Sequence, residues 1–78
     1  MTSEQRAAFA DVVWVDPQRM HGTACFRDSR VPVQNLLDYL EEGSTIDSFL
    51  EDFPTVSRAR AVRYLELTKE VILECVSS

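Results

Sequence analysis

The sequence is poor in the residues that build cross-linked or metal-held scaffolds. Its 78 residues include two cysteines, Cys25 and Cys75, and one histidine, His21. One disulfide between the distant cysteines is an option, but two thiols in a cytosolic protein is the expected state. His21 and Cys25 have a metal-like spacing, yet a closed zinc site takes four ligands, so zinc is not expected. No apolar run approaches the length of a bilayer crossing. The first nine residues carry Glu4, Gln5 and Arg6 and lack the apolar centre of a signal peptide. A soluble, cytoplasmic protein is therefore expected. Internal repeats, low-complexity segments and linkers are also missing. So are a Cys–His pair in a usable motif, a phosphate loop and a metal cluster. A chain this small has little room for a deep pocket. The expectation is a non-enzyme with no cofactor.

Positive charge is scarce too. Eight Lys and Arg stand against 13 Asp and Glu, for a net charge of −5. Dedicated DNA binders are mostly basic, because phosphate neutralisation supplies much of their affinity. The charges are segregated, however. Asp38, Glu41, Glu42, Asp47, Glu51 and Asp52 form an acidic run without a base, and residues 55–65 contain three arginines and no acid. The acidic run reads as a solubilising surface or as a face for a basic partner such as a ribonuclease groove.

What is present suits one small globular domain, 1–78. Apolar residues make up 45% of the chain, which argues against disorder. The length is near the lower limit for a self-sufficient core, so a partner or self-association would help. Residues 1–11 read as a polar arm or short helical turn anchored by Ala7, Ala8 and Phe9. Residues 12–30 read as a β arm. Within it, Val12, Val13, Trp14 and Val15 form one strand, Asp16-Pro17 opens a turn that Gly22 closes, and residues 23–26 form a second strand. Trp14 is expected to pack on the helices.

Residues 31–76 read as a three-helix core. Pro32 starts the first helix. Val33, Leu36, Leu37 and Leu40 then form an i, i+3, i+4, i+7 stripe, and Gly43 ends it. Ser44 with Asp47 resembles a capping box for a second helix, which carries Ile46, Phe49, Leu50 and Phe53 and stops at Pro54. Ser57 caps a third helix running to about Val76, with Ala61, Val62, Leu65, Thr68 and Ile72 on its core face. Its second half, residues 65–76, is apolar around much of its girth, through Leu67, Val71, Ile72, Leu73, Cys75 and Val76. That excess points to a protein–protein contact.

A helix, a turn and a helix with a basic leading end is the outline of a helix-turn-helix reader of DNA. Arg58, Arg60 and Arg63 are the candidates for phosphate and base contacts, with Thr55 and Ser57 on the DNA backbone. The competing reading is a solvated face with Arg63 paired to Glu66 or Glu70. Arginines at a helix N-terminus oppose the macrodipole by about 0.3–1 kcal/mol each, which favours a ligand role. Arg27 and Arg30 are a second candidate phosphate contact, or else salt-bridge partners of Asp28 or Asp16. Replacing both Arg60 and Arg63 by Ala is expected to abolish operator binding and leave the fold intact.

Gly22, Arg30-Val31-Pro32-Val33, Leu36-Leu37, Gly43-Ser44-Thr45, Phe49-Leu50, Asp52-Phe53-Pro54 and Val56-Ser57 stand in a telling order. In order and spacing they resemble the bacterial and archaeal family known as domain of unknown function 433, over about residues 13–67. Ala24 stands where the family pattern has Pro, and Asp28-Ser29 stand where it has Gly-Thr. The resemblance implies an α+β, mostly α fold: a short β-hairpin or arm, then a homeodomain-like three-helix core that usually self-associates. It also implies the antitoxin of a VapB-like toxin–antitoxin pair, which neutralises a PIN-like ribonuclease toxin and binds its own operator DNA. The expectations are thus a homodimeric DNA-binding antitoxin or transcriptional regulator, or else an adaptor that holds another protein and never touches DNA. The homodimer would form through the β arm or the far end of the last helix.

Overall fold

The structure is a computed structural model that describes residues 2–15 and 22–77. The turn at Asp16-Pro17 and the position of His21 lie outside the described residues. Among the described residues the chain is mostly helical, with four helices and a two-stranded antiparallel sheet near the N-terminus.

The expected arm is a ten-residue helix, α1, Ser3–Val12. Thr2 and Gln5 form a capping box. The Gln5 amide donates to Thr2 Oγ1 at 3.1 Å, and the Thr2 amide donates to Gln5 Oε1 at 2.8 Å. At the other end, Arg27 donates from Nε and Nη2 to the Ala10 carbonyl at 3.1 and 2.7 Å. That carbonyl has no acceptor role left inside the helix, so a side chain fills it. Ala8 and Phe9 pack on the core, and Val12 belongs to it. Periodicity is faint in these residues, and α1 exists because it has α4 to lie against.

Strands β1, Val13–Val15, and β2, Ala24–Phe26, pair Val13 with Phe26, Trp14 with Cys25 and Val15 with Ala24. Trp14 is half-buried, and its indole Nε1 donates to the Ser29 carbonyl at 2.9 Å. After β2 the chain turns through Asp28, whose φ is +62°. Asp tolerates this left-handed conformation better than most residues. Ser29, buried next to it, donates its hydroxyl to the Phe26 carbonyl at 2.9 Å and accepts from the Val31 amide at 3.2 Å.

Helix α2 is Val33–Glu41, with Pro32 as its N-cap. Gly43, at φ +89°, ends it. The Gly43 amide donates to the Leu40 carbonyl and the Ser44 amide to the Tyr39 carbonyl, at 3.1 and 2.9 Å, which is a Schellman closure. Helix α3 is Ile46–Asp52, capped by Thr45 rather than Ser44: Thr45 Oγ1 accepts from the Ser48 amide at 3.1 Å. Ser44 stands one residue too early to cap α3, and its amide closes α2. Helix α4 is Arg58–Ser77, and Ser57 Oγ accepts from the Arg60 amide at 3.1 Å, as expected of a cap.

Phe26, Phe49, Leu36 and Leu67 are the largest fully buried side chains. Phe26 meets Phe49 at 6.0 Å and Tyr64 at 5.6 Å between ring centroids, and Phe53 meets Phe49 at 5.0 Å. Phe53 thus serves as a core plug ahead of Pro54. The face that α4 buries includes Ala61 and Leu65 as expected, but it departs farther along the helix. Leu67 is fully buried, whereas Ile72 is 55% exposed. The reason is α1, which lies antiparallel along α4. Phe9 stacks edge-on against Tyr64 at 6.4 Å, and Gln5 Nε2 donates to Glu74 Oε2 at 2.8 Å. Among the described residues no helix is long and apolar enough to cross a membrane.

Candidate functional site

The candidate surface begins where Ser57 caps α4 and the first turns project Arg58, Arg60 and Arg63. Thr55 and Ser57 are exposed beside them. Each of the three guanidinium groups faces a carboxylate of the same chain. Arg58 pairs with Asp47 of α3, both side chains being mostly exposed. Arg63 Nη1 lies 3.7 Å from Glu66 Oε2, one turn on. Arg60 reaches off the helix. Its Nη2 donates to Asp28 Oδ2 at 2.9 Å and its Nη1 to the Arg27 carbonyl at 3.0 Å.

These contacts differ in weight. Exposed ion pairs such as Arg58–Asp47 and Arg63–Glu66 contribute about 0–1 kcal/mol and are screened by salt. Arg60 is a third exposed, and its second bond to a main-chain carbonyl holds the start of α4 against the turn after β2. The other two candidate arginines sit on the turn after β2 and the loop that follows it. Arg27 is turned toward the end of α1, and Arg30 is exposed in the loop before α2. Asp28 is the partner of Arg60 rather than of Arg27, and Asp16 lies outside the described residues.

The acidic run is a surface. Asp38, Glu41, Glu42, Asp47, Glu51 and Asp52 are all exposed. Asp52 accepts a 2.5 Å bond from the Tyr39 hydroxyl. That bond, then partial desolvation and the negative charges of Asp52 and Glu42, push the Tyr39 phenol above its ordinary value.

A second surface lies at the outer end of α4. Ile72, Leu73 and Val76 are 55%, 56% and 79% exposed. Lys69, Glu70 and Glu74 are exposed around them, and the last turn has no basic residue. Cys75 is exposed on the same turns, whereas Cys25 is buried in β2 and its thiol is pushed up by desolvation. Of these features, the apolar excess of α4 was legible as periodicity. The links from Arg60 to Asp28 and from Gln5 to Glu74 were not, because they join residues 32 and 69 positions apart.

No curated protein and no solved structure matches the chain. Over residues 13–67, from β1 to the middle of α4, the sequence matches the model of the family described as protein of unknown function, DUF433, and the chain belongs to that family.

Proposed function

We propose that this chain is an antitoxin-like binding protein that acts in the cytoplasm by holding another protein. The family resemblance suggests a PIN-like ribonuclease toxin as that client. The carrying observation is electrostatic. Every arginine at the start of α4 already faces a carboxylate, so the tip offers little uncompensated charge to phosphate. The chain as a whole remains at −5. Such a molecule is repelled by a polyanion and attracted to a cationic protein surface. The test is a pull-down, with the full chain as bait, of the protein encoded by the adjacent reading frame, together with an assay of that protein's ribonuclease activity. A complex and lost activity are expected. An unbound, fully active nuclease would overturn the toxin–antitoxin assignment.

A second reading, an operator-binding regulator, is favoured by the order of the elements. Helices α2, α3 and α4 with the turn at 53–57 fit a homeodomain-like helix-turn-helix core. Arg58 and Arg63 are exposed enough to exchange a weak intramolecular pair for phosphate. Thr55, Ser57 and Arg30 would add backbone contacts, with Arg27 behind them. Arg60, tied to Asp28, is a poor choice for the test, since its loss also loosens the fold. Arg58→Ala/Arg63→Ala is the informative variant. In this reading it abolishes a gel shift whose affinity falls steeply with salt, and an unchanged shift would exclude the role.

A further inference from the structure

We infer that the outer end of α4 is the contact helix of the protein-holding role, and that its partner offers an apolar groove rimmed by Lys or Arg. This rests on the protein-binding reading and names the site and the chemistry of the partner. Ile72, Leu73 and Val76 are three of the four exposed large hydrophobics in the described chain, the other being Val15 on β1. Their i, i+1, i+4 spacing puts them on one face, the pattern by which an amphipathic helix enters a groove. All three lie beyond the residues that match the family, 13–67.

Charge selects the occupant. Lys69 shares the face of Ile72, Leu73 and Val76, and Glu70 borders that face on one side. Glu74 lies farther round, where it accepts from Gln5 of α1, and the last turn holds no base. The negative end of the helix macrodipole is thus uncompensated. A second copy would bring its own glutamates and helix end, in a molecule already at −5, so like charges would meet. Area argues the same way. Three such side chains expose on the order of a few hundred Å2, against roughly 800 Å2 per partner in a standard interface. A groove that wraps the helix end covers the stems of Lys69 and Glu70 as well.

The probe is a Leu/Lys amphipathic helical peptide, with a Leu/Glu peptide of equal length as the control. Each is titrated into the isotope-labelled full chain at low and high salt. The Leu/Lys peptide is expected to bind, to shift amide signals over residues 69–77, and to weaken as salt rises. The Leu/Glu peptide is expected not to bind. Ile72→Ser/Leu73→Ser/Val76→Ser should weaken binding by about tenfold or more. Those side chains are exposed, so the variant should keep its helical circular dichroism. Leu73→Lys, a single change, should also weaken the Leu/Lys peptide.

Unchanged affinity in both variants, or no binding of the Leu/Lys peptide, would overturn the inference. So would a dimer in sedimentation that the triple variant dissolves, since the occupant would then be a second copy. Shifts confined to α2 and α3 would place the contact on the acidic run. That outcome removes this site and leaves the protein-holding reading intact. The pull-down described above decides that reading on its own.

Discussion

The guanidinium of Arg60 spans from the first turn of α4 to the turn after β2, donating to the Asp28 carboxylate at 2.9 Å and to the Arg27 carbonyl at 3.0 Å. Asp28 is also the residue that adopts φ +62°. One residue thus carries both the bend of the chain and the anchor of the last helix. Arg60→Ala is expected to lower stability by about 1 kcal/mol, the cost of losing a charge-assisted bond that is partly exposed. Asp28→Asn should cost less, because Asn accepts the left-handed conformation. Asp28→Val should cost about 1–3 kcal/mol, because a β-branched residue does not. Urea unfolding of the three variants checks the order, and a neutral Arg60→Ala would mean the tie is idle.

Leu67 and Ile72 test which side of α4 is inside. Leu67 is 1% exposed and Ile72 55%. Leu67→Ala should destabilise by about 2–5 kcal/mol, as a buried truncation that leaves a cavity. Ile72→Ala should stay within about 1 kcal/mol. Thermal melts suffice to compare them, and a reversed order would mean that α1 does not cover Leu67.

Alkali should weaken the fold through Tyr39. Its phenol is held above the ordinary value of 10.0, first by the bond to Asp52, then by desolvation and the charges of Asp52 and Glu42. A raised value in the folded state means that the native form keeps its proton longer than the unfolded one. The stabilisation is complete below pH 10 and is lost as pH climbs through the raised value. Cys25 acts in the same direction from its ordinary 9.0, by burial. Tyr39→Phe should flatten the part of the stability loss that begins above pH 10, and a wild-type alkaline profile in that variant would remove Tyr39 as its cause.

The two thiols should separate by rate. Cys75 is exposed and Cys25 is buried with its thiol pushed up, and the thiolate is the reactive form. A thiol reagent should label Cys75 at once and Cys25 only as the chain unfolds. Mass spectrometry of the partly labelled protein assigns the sites, and early labelling of Cys25 would contradict its burial.

Local chemistry alone decided where the middle helices stop and start. Gly43 supplies the left-handed turn after α2, Pro54 follows the end of α3, and Ser57 offers an oxygen to the first amides of α4. Each of these devices acts within a few residues of itself, so it can be read along the chain. The helix over 3–12 was half legible, in Thr2 and Gln5. Its apolar face is too thin to show until α4 lies beside it. The tertiary structure decided the rest: that Leu67 and not Ile72 is enclosed, and that Arg58 and Arg60 meet Asp47 and Asp28. Arg60 and Asp28 stand 32 positions apart, and no periodicity carries information over that distance. Whether a charge is spent inside the molecule or left for a partner depends on which segments fold against each other.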